Sequence, residues 1–127
     1  MSIESRKSPR YYARWRIAIV FDETENRPTI HGHTHDVSLR GASVYTEHNV
    51  VSITPVTVLL SPPLAHEGER QKIIEIRTQL AYSVYAGSNS CFRIGLNFIK
   101  FKNGGRQILK GMLDNQFPLN SVGVKLK

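Results

Sequence analysis

Asp36-Val37-Ser38-Leu39-Arg40-Gly41-Ala42-Ser43-Val44 reads as the end of one β-strand, a tight polar turn and the start of the next. Side chains alternate faces along an extended chain, so Asp36 and Ser38 point the same way. Gly41 offers a place where the backbone turns with φ > 0, or where a ligand approaches without meeting a Cβ. A carboxylate, a hydroxyl and bare backbone can together read a base edge that carries donors and acceptors. The same residue types are ordinary turn formers. Taken alone, the stretch is compatible with a plain hairpin turn and with a binding edge.

Upstream, Trp15, Ile17, Ile19 and Phe21 share one face while Arg14, Arg16, Ala18 and Val20 share the other, the pattern of a half-buried strand. A polar turn over residues 22–28 and an extended run over 29–37 predict an antiparallel pair whose second strand ends at the opening motif. Downstream, residues 41–46 form a third strand and 55–60 a fourth, stopped by Pro62-Pro63. Residues 71–85 read as one long or bent strand with Ile74, Ile76, Leu80, Tyr82 and Val84 on its apolar face. A hairpin turn over 86–90 leads to a last strand over 91–99. There Phe92, Ile94, Leu96 and Phe98 oppose Arg93, Gly95 and Asn97.

The period then changes. Ile108 and Met112, then Leu109, Leu113 and Phe117, recur at i, i+4, which predicts an amphipathic helix with Asn103 as its N-cap and Pro118 as its stop. Six or seven short strands followed by one helix predict a mainly β fold, a small six-stranded antiparallel β-barrel with a C-terminal α-helix. The expected organisation is a flexible basic arm over 1–13, the barrel and helix over 14–118, and a tail over 119–127.

The 127 residues include 17 Lys plus Arg against 10 Asp plus Glu, a net charge of +7 that favours an anionic partner. Cys91 is the only cysteine, which rules out an intrachain disulfide and a Cys-rich zinc site. No signal-peptide pattern and no run long enough to span a membrane is present, so a cytoplasmic location is expected. His31, His33 and His35 alternate along one strand, but its ends lie about 13 Å apart at the rise of an extended chain. One straight strand cannot bring three ligands to a zinc ion, so no metal is expected. No nucleophile elbow, phosphate-cradling loop before a helix or H-E-x-x-H occurs, and no enzymatic activity is expected.

Arg6-Lys7-Ser8-Pro9-Arg10, then one strand and a hairpin, then Asp36-Val37-Ser38-Leu39-Arg40-Gly41 resembles the PilZ domain family, whose signature is Arg-x-x-x-Arg followed by Asp/Asn-x-Ser-x-x-Gly. Residues 92–98 are similar to that family's last barrel strand, with Gly95 as its inserted glycine, and the C-terminal helix also fits. The resemblance runs from about Ser5 to Phe117. It implies a barrel that binds cyclic di-GMP, a bacterial second messenger with two phosphates and two guanines. Arg6 and Arg10 would clamp the ligand, Asp36 and Ser38 would hydrogen-bond a guanine edge, and Gly41 would allow close approach. Arg14 and Arg40 would be neighbouring contacts. Because Arg10-Tyr11-Tyr12-Ala13-Arg14 is also Arg-x-x-x-Arg, the working pair is Arg6/Arg10 or Arg10/Arg14, the former preferred because Arg10 leads directly into the alternating strand.

Arginine suits both tasks, since its fork pairs with phosphate or guanine and its plane stacks on a base. The expected mechanism is a switch: ligand orders the arm against the barrel, and a downstream protein partner reads the new surface in trans. The alternatives are a small barrel that binds single-stranded nucleic acid and a PilZ-like scaffold that binds protein without a ligand.

Overall fold

The computed structural model describes residues 8–64 and 67–116. Its strands are β1 (Tyr11–Tyr12), β2 (Arg16–Val20), β3 (Ile30–Val37), β4 (Gly41–Thr46), β5 (Val56–Ser61), β6 (Ile74–Ala86) and β7 (Cys91–Phe101), followed by helix α1 (Gly105–Gln116). All pairings are antiparallel. β3 joins β2 and β4, β2 joins β5, and β5–β6–β7–β4 completes the ring, giving a closed six-stranded barrel. Closure removes the exposed edges that an open sheet of this size would carry.

The alternation in β2 has the expected result: Trp15, Ile17, Ile19 and Phe21 are all buried. They join Val44, Val56, Val58, Leu60, Ile74, Ile76, Ile94 and Leu96 in one core. Burial of side chains of this size stabilises the fold by about 1.5–3 kcal/mol each before entropy is counted. Two-residue β1 pairs with the far end of β3, Tyr11 opposite Val37 and Tyr12 opposite Asp36, inside the segment expected to be an arm. The break between β1 and β2 is sealed by buried Thr34. Its hydroxyl donates to the Ala13 carbonyl and accepts from Trp15 N at 2.9 Å.

Three strands carry an extra residue, which changes the face that later side chains occupy; in β7 it is Ile99, between Lys100 opposite Arg77 and Phe98 opposite Thr78. In β3 the register passes from Thr34 opposite Val44 to Asp36 opposite Ser43, leaving His35 as the additional residue. In β6 it passes from Leu80 opposite Leu96 to Tyr82 opposite Gly95, with Ala81 added. The expected apolar even face of β6 therefore ends at Leu80. Tyr82 and Val84, 46% and 51% exposed, lie outside the core.

Helix α1 packs on β6 and contributes Leu109 and Leu113 to the core, with Met112 partly buried against it and Ile108 exposed. Asn103 does not cap this helix. It adopts a left-handed conformation (φ 54°) with Gly104 (φ 72°), and the Gly104 carbonyl accepts from Gln107 N and Ile108 N. The chain turns sharply out of β7 there, and Gly104 adopts positive φ without a Cβ penalty. Phe117, Pro118 and the tail over 119–127 lie outside the described residues.

Candidate functional site

Asp36 reaches the barrel's outer face because of the bulge at His35. Without the extra residue it would share the inward direction of Thr34. With it, Asp36 stands beside Ser43, whose neighbours Ala42 and Val44 face the core. Asp36 is only 4% exposed. A carboxylate at that depth needs polar partners, and it has two: Ser43 Oγ donates to Oδ2 at 2.8 Å, and Arg93 Nη2 lies 3.8 Å from the same oxygen. Arg93 Nε is itself buried with no hydrogen-bond partner among the described residues.

Ser38 holds the turn. Its hydroxyl accepts from Arg40 N at 3.0 Å and Gly41 N at 3.2 Å, and its own backbone N donates to the Gly41 carbonyl at 2.8 Å. The turn displays Arg40 on the surface, while the Arg40 carbonyl accepts from Phe98 N at 2.9 Å and ties the turn to β7. Gly41 does not serve the turn through a positive φ, since it is not among the residues with that geometry. A Cβ there would lie 2.1 Å from the Leu96 carbonyl oxygen. The glycine is required by the close approach of β4 to β7.

Gly95 has a different neighbour. A Cβ on it would meet the Tyr82 ring at 2.2 Å, so the ring lies directly over the glycine backbone. The bulge at Ala81 is what carries Tyr82 to this face.

Arg10, Asp36, Ser38, Arg40, Gly41 and Gly95 line one cavity of about 350 Å³, with Ser8, Ser43, Tyr82 and Asn97 completing its wall. The N-terminal segment, the β3–β4 turn and the β6–β7 pair thus meet at one place. Arg14 lies elsewhere, in a concavity with Arg16, His31 and Tyr45. Arg6 lies outside the described residues. Sequence reasoning missed Ser43, Tyr82 and Arg93 as members or supports of the site. Ser43 and Arg93 had a signal, their place on the non-core side of alternating strands, whereas Tyr82 was hidden by the bulge.

Chemically the cavity combines arginine donors suited to phosphate, a buried carboxylate able to accept from a purine's N–H groups, and an exposed aromatic ring able to stack. No group of three or more His, Cys, Asp or Glu among the described residues is placed to hold a metal ion. Among them, no helix is long and apolar enough to cross a membrane.

The model of the PilZ domain family matches residues 4–115, nearly the whole chain. The chain belongs to the PilZ domain family. Solved structures agree in fold. The Bacillus subtilis inhibitor of motility MotI/DgrA superposes with a TM-score of 0.70 at 17% identity, over 87% of this chain and 50% of that one. YcgR from Escherichia coli, in complex with c-di-GMP, gives 0.63 at 13% identity over 96% and 50% of the two chains. The PilZ domain of YcgR with c-di-GMP gives 0.61 at 13% identity over 94% and 98%. This chain spans about half the length of MotI/DgrA and of full-length YcgR. By sequence, no curated protein matches it. In this PilZ domain the Asp36-x-Ser38-x-x-Gly41 motif forms the β3–β4 turn, and Arg10 of the Arg-x-x-x-Arg motif lines the same cavity.

Proposed function

We propose that this PilZ domain is a receptor for cyclic di-GMP and binds it at the Asp36 cavity. The observation that carries the reading is the convergence of both family motifs, through Arg10 and through Asp36, Ser38 and Gly41, on one concavity. Arg10 and Arg6 take the phosphates or the guanine O6/N7 edge by bidentate pairing. Asp36 accepts from the N–H groups of a guanine, held in place by Ser43 and Arg93. Gly95 and Tyr82 form the floor beneath a base, and Arg40 stands at the rim. Structures solved with c-di-GMP, YcgR and its isolated PilZ domain, share this fold.

The proposed output is conformational. Ligand bridges the segment up to Arg10 to the barrel, beside β1, which is already paired with β3, and a partner protein in trans recognises the combined surface. Folding on binding costs ordering entropy when the ligand arrives, which makes such segments switchable. Two experiments test the reading. Calorimetry with Arg6→Ala, Arg10→Ala and Arg14→Ala singly is expected to show large losses for the first two and a small one for Arg14→Ala; unchanged affinity in Arg6→Ala would shift the pair to Arg10/Arg14. Hydrogen exchange over residues 2–10 is expected to slow on adding c-di-GMP, and identical exchange in both states would eliminate the switch.

A further inference from the structure

We propose that a second concavity, on the outer face of β2, β3 and β4, is a binding site for a small phosphate ester. It has a volume of about 660 Å³ and shares no lining residue with the Asp36 cavity. Arg14 and Arg16 line it from β2 and the segment before it, His31 and His33 from β3, and His48 from the loop after β4. Tyr45, Glu47 and Cys91 are the other titratable groups on its wall.

The strand register makes this grouping more than a solvated surface. Arg16 stands directly opposite His33, and His33 directly opposite Tyr45, so the three form a row across three strands. His31 projects two residues along from His33 on the same face. Cβ atoms of directly opposed residues lie about 4.5–5.5 Å apart, which brings the donors of this row close together. Among the described residues, none of the side chains of Arg14, Arg16, His31, His33 and His48 makes an ion pair with a carboxylate. Glu47 is the single carboxylate on the wall, and it too is in no ion pair.

Crowded donors that Glu47 does not pair with are complementary to a multivalent anion. Arginine forks match phosphate oxygens in pairs, and imidazole N–H groups donate to the remainder. An organic portion also has a place. Tyr12, His35 and Tyr45 form a row of rings with centroids 5.3 and 5.4 Å apart, and Arg14 and Tyr45 line both this adjoining hollow and the basic one. Concavity and volume within the small-molecule range favour a compact ester over a protein surface.

The test titrates inorganic phosphate, adenosine 5′-monophosphate and a short oligothymidylate into the full chain at fixed ionic strength, with chloride as control, following amide signals by NMR. Saturable shifts confined to residues 14–16, 29–33 and 45–48 are expected with phosphate and, more tightly, with the mononucleotide. Phosphate binding as tightly as the mononucleotide keeps the anion site and assigns it to free phosphate. Arg16→Gln/His33→Gln is expected to weaken binding about tenfold or more, the loss of one or two charge-assisted hydrogen bonds. Asp36→Ala, in the other cavity, is expected to keep the affinity. An unchanged melting temperature reports that the double variant is folded, and His31→Gln replaces it if it is not. Equal response to chloride, unchanged affinity in the double variant, or strong preference for the oligonucleotide would each overturn the proposal.

Discussion

Gly41 and Gly95 lie 54 positions apart and line one cavity, yet each lacks a Cβ for its own reason. At Gly41 the obstacle is a backbone carbonyl of β7, which cannot move without parting two strands of a closed barrel. Gly41→Ala is expected to destabilise the domain by about 3 kcal/mol, the scale of an overpacked core, and to lower the thermal midpoint by about 10 °C. At Gly95 the obstacle is the Tyr82 ring, the far end of a half-exposed side chain that can swing into solvent. Gly95→Ala is therefore expected to cost less than about 1 kcal/mol in stability, the milder half of single substitutions, while displacing the ring from the cavity floor. Tyr82→Ala is expected to weaken c-di-GMP binding about tenfold, in line with about 1–3 kcal/mol for stacking on one base. Tyr82→Phe keeps the ring and is expected to bind nearly as wild type. Titration of the pair against wild type checks this, and equal loss in both variants would assign the effect to the hydroxyl.

Asp22, two residues past β2, forms a two-pronged ion pair with Arg77 of β6, Oδ1 to Nη1 at 2.9 Å and Oδ2 to Nη2 at 3.1 Å. The Arg77 hydrogen bonds, with a further contribution from its charge, hold the Asp22 carboxyl below its ordinary value of 3.8 against the opposing effect of desolvation. The folded protein thus binds fewer protons here than the unfolded chain as pH falls. The contribution to stability is fully present above 3.8 and is lost as pH drops through the folded-state value. Asp22→Asn is expected to melt slightly below wild type at pH 7, with the gap narrowing as pH falls below 3.8 and through the folded-state value; a gap independent of pH would assign it to packing. The pair is solvent-exposed, so the effect is small and fades in high salt. Leu109→Ala on α1 is expected to cost about 2–5 kcal/mol, because that side chain is fully buried in the barrel's core.

At this scale the sequence was legible wherever alternation ran unbroken. β2 followed its pattern, β7 followed it from Phe92 to Phe98, and the helix buried Leu109 and Leu113 of its i, i+4 repeat. The bulges at His35, Ala81 and Ile99 were not legible, because one added residue leaves no mark in composition or period yet reverses every later side chain. Asp36 was picked out by its motif despite this, whereas Tyr82, with no motif to mark it, was assigned to the core.

As a whole, the molecule places the Asp36 cavity and the basic concavity on separate stretches of the barrel's outer surface, in a chain of net charge +7. That charge assists the approach of any anion, so affinity alone does not identify the ligand. Nucleic acid held mainly by its backbone loses affinity steeply as salt rises, whereas a ligand read by Asp36 through a guanine edge depends on that carboxylate at any salt. The most direct test of the central claim is isothermal titration calorimetry of c-di-GMP into the wild-type chain and Asp36→Ala at near-physiological salt. The account predicts saturable binding to the wild type and a loss of at least about tenfold in Asp36→Ala, the scale of a charged hydrogen bond. Absence of c-di-GMP binding by the folded wild type, or equal affinity in the two proteins, would contradict it.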